Sequence, residues 1–261
     1  MKTITHITRI VTLALLCSAF GACKKEKQDV ERAMHIVLNG YNGSAGPWQI
    51  AIDTVKYTAN NYSYNPGTTG TFNIVFPYRG EKERFLTITD TDTKKVLYSK
   101  PLPQSGSKAA FNFIYADGRI VEVNPPAADP ALNRLGFYVQ YSIDNAPFDI
   151  SMYRKDATTG QEYRYYLAKN VKPKTWVYVD YLPVEHFSTT NDLRATDICF
   201  TKAGTTDQWA FEDTETKSQT SAFGFLMPVN AEKGLVQPYF VVPGPGGLLF
   251  SRLFFYPERS L

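Results

Sequence analysis

The chain has 261 residues, of which 28 are basic and 25 acidic. Two of the basic residues, Lys2 and Arg9, lie in the first 22 positions, so the other 239 residues carry 26 basic and 25 acidic side chains. This near neutrality argues against the concentrated basic face that nucleic-acid binding requires, and no nucleic-acid partner is predicted. Aromatic residues make up 14% of the chain, with 17 Tyr and 17 Phe, which favours pleated, half-buried strands.

The N-terminus reads as a targeting segment. Two basic residues precede an apolar run over residues 10–20, and the small residues Gly21 and Ala22 follow it, immediately before Cys23. An apolar run of about ten residues is too short to cross a bilayer as a helix. The sequence therefore predicts a removable signal peptide over residues 1–22, not a transmembrane helix.

The segment Phe20-Gly21-Ala22-Cys23 resembles the bacterial lipobox, with Phe20 where leucine is more usual. The resemblance implies that Cys23 becomes the first mature residue and carries several acyl chains, which together anchor a protein stably in a lipid bilayer. Residues 23–32 form a charged tether similar to that of Bacteroidota surface lipoproteins. The resemblance thus implies an outer-membrane lipoprotein exposed at the cell surface, and an orientation toward the periplasm is the alternative.

The rest of the chain predicts an all-β protein. After Ala33 nearly every segment alternates apolar and polar residues with a period of two, and no segment sustains a helical stripe beyond about two turns. Asp117 and Gly118 predict a tight hairpin because these residues accept positive φ angles. The apolar residues that alternate in the first half are Ile36 and Leu38, then Trp48, Ile50 and Ile52, and then Phe72, Ile74 and Phe76.

A proline-rich linker at 125–131 divides the chain into two predicted domains. Three of its seven residues are prolines, which supply no ladder donors and favour a stiff connector. We predict β-sandwich domains over residues 33–124 and 132–261; one sandwich with a long loop is the alternative. Each half begins with a strand, a loop containing Pro47 or Pro147, and a second strand, which is typical of a duplicated unit and resembles tandem immunoglobulin-like or transthyretin-like domains.

Three strand predictions in the second half bear on the later comparison with the structure. Residues 135–143 alternate so regularly that they predict a strand with one face on a core and the other face in solvent. Residues 222–227 and 248–256 are predicted as further strands. The last of these is apolar on both faces.

The sequence holds no recognisable catalytic or metal-binding pattern. After the signal segment only His35 and His186 remain, about 150 residues apart, and they do not form a zinc pattern. Strand alternation predicts that Cys199 is a small buried hydrophobic residue. Asp90 and Asp92 lack the spacing of a calcium loop and predict a plain hairpin turn. We therefore predict no cofactor, no metal and no catalytic residue.

Loops that mix aromatic rings with amides predict ligand binding. Rings stack on sugar faces, amide side chains hydrogen-bond to hydroxyl groups, and loops on a rigid sandwich are where binding residues gather. Ordinary turn residues with rings packed on their own domain are the alternative. The candidate ligand-binding residues are Tyr57, Asn60, Asn61, Tyr62, Tyr64 and Trp209.

Three functions follow as hypotheses. The first is a non-enzymatic surface interaction or glycan-binding module, whose partner is a polysaccharide or an outer-membrane protein; its architecture resembles accessory lipoproteins of polysaccharide-uptake systems. The second is a fimbrillin-like structural subunit that assembles by strand donation. The third is a hydrolase with a carboxylate pair that spacing cannot reveal. The acidic residues considered for that pair are Glu185, Asp192, Asp197, Glu212 and Asp213.

Overall fold

The first half of the chain folds into eight strands. The structure, a computed structural model, describes residues 31–57, 64–80, 82–244 and 246–252. The signal segment, Cys23 and most of the tether lie outside these residues. The strands are β1 (Arg32–Asn42), β2 (Trp48–Ile52), β3 (Val55–Tyr57), β4 (Thr68–Tyr78), β5 (Phe85–Asp90), β6 (Val96–Pro101), β7 (Lys108–Ala116) and β8 (Arg119–Glu122).

These strands form two sheets that enclose one core. One sheet has the order β4-β1-β7-β8 and the other β3-β2-β5-β6. Trp48 lies at the centre of the core, where its ring stacks on Tyr64 and Phe113 at centroid distances of 5.6 Å. The alternating apolar faces predicted for the first half all pack in this core. Asp117 and Gly118 have φ angles of 51° and 74° and join β7 to β8, as predicted.

The described part of the second half contains eight more strands and three short helices. The strands are β9 (Asn133–Val139), β10 (Phe148–Lys155), β11 (Glu162–Val171), β12 (Val177–Tyr181), β13 (Asp197–Lys202), β14 (Gln219–Ser221), β15 (Val236–Gly244) and β16 (Gly247–Arg252). The helices are α1 (Thr190–Arg194), α2 (Glu215–Ser218) and α3 (Ala222–Phe225). No helix among the described residues has the length and apolar character needed to cross a bilayer.

The two halves share one topology. The second half has sheets of order β12-β9-β15-β16 and β11-β10-β13-β14, which repeat the orders of the first half strand for strand. In each half the first strand pairs in parallel with the seventh. An immunoglobulin sheet instead pairs its first strand with its second. The protein is therefore all-β with two tandem sandwiches whose first and seventh strands pair in parallel.

Two predicted strands differ from the structure. Of residues 222–227, residues 222–225 form the helix α3, in which Ala222 and Phe225 lie three residues apart and both enter the core, and residues 226 and 227 follow the helix. The strand predicted over 135–143 ends at Val139, and Ile143 is exposed. Of the strand predicted over 248–256, residues 248–252 belong to β16, and residues 253–256 lie outside the described part of the chain.

One face of β9 was predicted to lie in solvent. In the structure that face packs against the first domain. Tyr138 is 2% exposed, and together with Phe240 of β15 it packs on Ile114 and Ala116 of β7. Tyr41 of β1 contacts the ring of Phe240, with the centroids 4.4 Å apart. The two cores thus lie on either side of the proline-rich connector, joined by a third apolar cluster. The exact domain limits at residues 124 and 132 stay a prediction.

A polar contact closes the edge of this junction. Asp117, at the tip of the β7–β8 hairpin, accepts hydrogen bonds from Lys174 at 2.8 Å and from Gln140 at 3.2 Å. The hydrogen bond from Lys174 and, secondarily, that from Gln140 lower the pKa of Asp117 below its usual value. The aspartate therefore stabilises the assembled pair of domains in its ionised form.

Replacing Lys174 with Met should weaken the junction only where Asp117 is ionised. We expect a loss of about 0.5 kcal/mol at pH 7, since the pair is partly exposed to solvent. Because the folded pKa of Asp117 is lowered, its contribution is complete above the unfolded pKa of about 3.9 and disappears as the pH falls through the folded value. Urea-unfolding midpoints of the two proteins should therefore differ at pH 7 and converge once the pH lies below the folded pKa of Asp117. An equal difference at both pH values would contradict this origin.

Candidate binding groove on the C-terminal domain

The structure separates the predicted ligand-binding residues. Tyr64 is 2% exposed, and its hydroxyl donates to the carbonyl oxygens of Leu38 and Gly70, so its ring is a core residue and not a stacking platform. Tyr57 is half-buried, with its ring edge against Phe72. Asn60, Asn61 and Tyr62 lie outside the described residues. Trp209 is half-buried on the second domain.

Trp209 belongs to a long loop that folds back over β13. Its backbone forms an isolated β-bridge with Thr201, while Phe211, two residues later, is buried in the core. The amide of Ala210 donates to the carbonyl of Phe200, and the amide of Lys202 donates to the carbonyl of Gln208, which fixes the loop on both sides of the tryptophan. The loop is therefore held as a wall beside the outer face of the sheet β11-β10-β13-β14.

The outer face of this sheet forms the floor of a groove. Across the strands, Tyr153 of β10 lies between Arg164 of β11 and Asp197 of β13. In the next row Ser151 lies between Tyr166 and Cys199, with Gln219 beyond on β14. Alternation places both rows on the face opposite the core. The groove encloses about 630 Å³ and is lined by Tyr153, Glu162, Tyr163, Arg164, Tyr166, Thr206, Asp207, Trp209, Glu215 and Gln219.

Arg164 ties the floor to the wall. Its Nη1 donates to Ser151 Oγ at 2.8 Å, and its Nη2 donates to the carbonyl oxygen of Thr206 at 3.2 Å. Its guanidinium also lies over the ring of Tyr153, with Cζ 4.7 Å from the centroid. A cation stacked on a ring and bonded at both nitrogens holds that ring in place. Tyr153 is thus positioned before any ligand arrives.

Acidic side chains surround the aromatic rings. Glu215 accepts from Gln219 Nε2 at 2.5 Å, and Glu162 pairs with Lys155 at 3.3 Å. Hydrogen bonds with Lys155 and then Tyr153 lower the pKa of Glu162. Burial, and then the nearby charge of Glu215, raise the pKa of Asp197 at the groove's edge. The site combines ring faces with hydrogen-bond acceptors.

Cys199 lies beneath the groove. It is 1% exposed, opposite the core residue Ile198, and its thiol contacts the amide oxygen of Gln219 at 3.8 Å. Burial raises the pKa of this thiol to about 12. A thiol that stays protonated at neutral pH is a poor nucleophile, so Cys199 packs as predicted instead of reacting.

Three of the other acidic candidates have cationic partners at separate places, and the fourth, Glu185, is exposed beside His186. Asp192 caps α1, where it exchanges hydrogen bonds with Thr189, and it pairs with Arg154 at 2.5 Å. Glu212 pairs with Lys217, and Asp213 with Lys202, while His186 stacks on Tyr163. Across the described residues no three His, Cys, Asp or Glu side chains converge as a metal site would require. The sequence signal that could have predicted α1 is its capping pattern, in which Thr189 is followed three residues later by Asp192.

A second cavity, of about 510 Å³, lies where the two domains meet. Its lining includes Tyr41, Phe240, Leu249 and Phe250, and among the lining residues that the structure describes there are threonines but no charged residue. It offers apolar contact but few groups that could orient a polar ligand. The groove, which has both rings and charged acceptors, is the stronger candidate site.

The groove wall has no equivalent in the first domain. The fifth and sixth strands of that domain, β5 and β6, are joined by five residues, 91–95, in a tight hairpin. The corresponding strands of the second domain, β13 and β14, are joined by sixteen residues, 203–218, which carry Trp209 and α2. The groove is an elaboration of one copy of a repeated scaffold.

No protein-family model matches this chain, and no curated protein matches its sequence. Among solved structures, a candidate cell adhesion protein from Bacteroides uniformis is similar over 84% of this chain and 97% of its own, at 13% identity and a TM-score of 0.30. A family 26 carbohydrate-binding module from Eubacterium rectale, in complex with maltoheptaose, covers the same shares at 14% identity and a TM-score of 0.23. A tip fimbrial protein from Porphyromonas gingivalis is similar over 85% and 99%, at 11% identity and 0.23. Scores this low transfer no function to the chain.

Proposed function

We propose that this protein is a lipid-anchored, non-enzymatic outer-membrane protein that binds polysaccharide in the groove of its second domain and is exposed at the cell surface. The observation that carries the proposal is the convergence of Trp209 with Tyr153 and Tyr166 in one groove that also contains acceptors. Flat rings cover the apolar faces of sugar rings, while carboxylate and amide groups bond their hydroxyls.

The rigidity of the groove supports binding as its role. Its floor is regular sheet, its wall is bridged to β13, and Arg164 already fixes Tyr153. A preformed site loses little conformational entropy when it takes a ligand. The arrangement therefore suits a flexible polymer that must be ordered by its receptor.

Replacing Trp209 with Ala should weaken polysaccharide binding by about 30-fold, because a central aromatic side chain in a binding site contributes about 2 kcal/mol. Affinity would be measured by isothermal titration calorimetry against galactomannan, starch and laminarin, with wild-type protein identifying the polymers that bind. Trp209→Tyr, which keeps a ring in the groove, should lose less than Trp209→Ala.

Phe85→Ala is the matched control for that experiment. Phe85 is an aromatic residue of the first domain, 38% exposed and far in sequence from the groove. Its removal should leave the affinity unchanged. Equal affinities for wild type and Trp209→Ala, with both folded by circular dichroism, would remove the groove from the proposal.

The lipid anchor is tested at Cys23. The Cys23→Ser protein should move from the detergent-rich to the aqueous phase in a Triton X-114 partition, because it can carry no acyl chains. Cys199→Ser is the control, since that thiol is buried beneath the groove, and it should stay in the detergent phase. Detergent partition of Cys23→Ser equal to that of wild type would contradict acylation at this residue.

The fimbrillin-like alternative is favoured by one feature, the edge strand β16. On the described part of the chain β16 pairs with β15 on one side only, and Leu249 is 61% exposed. Such an edge could pair with a strand of another subunit. Native membranes run on gels without heating should give a single band if the protein is a monomeric receptor, whereas a ladder of polymers would favour the alternative.

The hydrolase alternative is tested with the same ligands. Burial, and then the charge of Glu215, raise the pKa of Asp197 at the groove's edge, so Asp197 is the acidic residue to test. A bound polysaccharide that releases no reducing ends over hours supports a binding module. Cleavage that is abolished in Asp197→Asn would establish the alternative instead.

A further inference from the structure

The charged side chains of the groove limit which class of polysaccharide it can bind. Among the described lining residues Glu162, Asp207 and Glu215 carry carboxylates and Arg164 is a cation. Glu162 is paired with Lys155, and Lys169 lies over the ring of Tyr166, so the negative charge of the groove rests on Asp207 and Glu215. Asp197 adds a fourth acidic group at its edge. A groove with an excess of negative charge repels anionic ligands. Neutral and cationic ligands are therefore more concentrated in it than anionic ones.

The one cation in the lining is already engaged. Arg164 donates from Nη1 to Ser151 and from Nη2 to the carbonyl of Thr206, and one face of its guanidinium covers Tyr153. An arginine that recognises a carboxylate or sulfate presents two free N–H groups as a fork. Arg164 directs one N–H of each Nη group to the protein, and its guanidinium lies against Tyr153, so its position is set by the protein and not by a ligand.

The acidic groups are placed to accept hydrogen bonds. Asp207 is exposed on the loop that also carries Trp209, and Glu215 is oriented by the amide of Gln219. Ionised carboxylates are acceptors only, so they match the hydroxyl donors of sugars. The same groups oppose a sugar that itself carries a carboxylate or sulfate.

We propose that the groove selects polysaccharides of uncharged sugars and rejects acidic ones, by means of Asp207 and Glu215 acting beside the ring of Trp209. This inference rests on the proposed function. It adds a charge preference to the proposed binding. The aromatic rings can contact any sugar, whereas the carboxylates exclude polymers of uronic acid or of sulfated sugar.

The test compares each neutral polymer with its own oxidised form. Galactomannan, starch and laminarin are oxidised at their primary hydroxyls. This converts the oxidised sugar units into uronic acids and leaves every stereocentre unchanged. Wild-type protein should bind a neutral polymer at least tenfold more tightly than its oxidised form in 20 mM salt. The ratio should shrink in 0.5 M salt, where screening is effective over a few ångströms.

Two variants test whether Asp207 and Glu215 cause the preference for neutral over oxidised polymers. The double variant Asp207→Asn and Glu215→Gln should lower the ratio of neutral to oxidised affinity about tenfold relative to wild type, because it removes the repulsion of the oxidised polymer, while any loss of acceptor strength affects both polymers alike. Glu83→Gln removes an exposed carboxylate of the first domain and is the control; its ratio should equal that of wild type. Circular dichroism confirms that each variant folds.

The outcomes separate this inference from the proposed function. If Trp209→Ala abolishes binding but wild type takes neutral and oxidised polymers equally, the groove binds glycans and the selectivity proposed here is wrong. Tighter binding of the oxidised polymers also overturns it. If wild type binds none of the six polymers, the proposed function fails, and the inference fails with it.

Discussion

The central position of the first strand in each domain is the constraint on which the fold depends. In the first domain β1 lies between β4 and β7, with eleven residue pairs to one and eight to the other. Removing that strand would open the middle of a sheet and expose the core around Trp48. A subunit that assembles by strand donation needs an open position in a sheet, and here the central one is occupied by the chain's own strand.

Much of the fold could be predicted because the signals for its strands and turns lie within short stretches of the sequence. Alternation identified the buried faces of the first-domain strands, and Asp117-Gly118 identified its hairpin, since both depend on neighbours in the chain. The second face of β9 could not be predicted. Tyr138 alternates with core residues and would be solvent-exposed in an isolated domain; it is buried because Ile114 and Ala116, more than twenty residues earlier, pack on it.

The site was predictable only in part, for the same reason. Trp209 stood out as a tryptophan in a polar loop, but Tyr153 and Tyr166 looked like ordinary strand residues. Only the pairing of β10 with β11 and the fold of the loop place their rings near Trp209. Tyr64 shows the converse. Its amide-rich neighbours suggested a surface loop, yet its hydroxyl finds two backbone carbonyls inside the core, which offsets the cost of burying it.

The sixteen residues that join β13 to β14 have the same place in the topology as a five-residue turn in the first domain. Both ends of the long connection are fixed on neighbouring antiparallel strands, so its closure costs little more than that of the short one. Apart from Ala210, Phe211 and Ser218, which pack in or against the core, its side chains lie outside the two sheets and can vary without disturbing them. Proteins that inherit this scaffold are therefore expected to diverge in ligand preference by exchanging this one connection, long before their cores diverge.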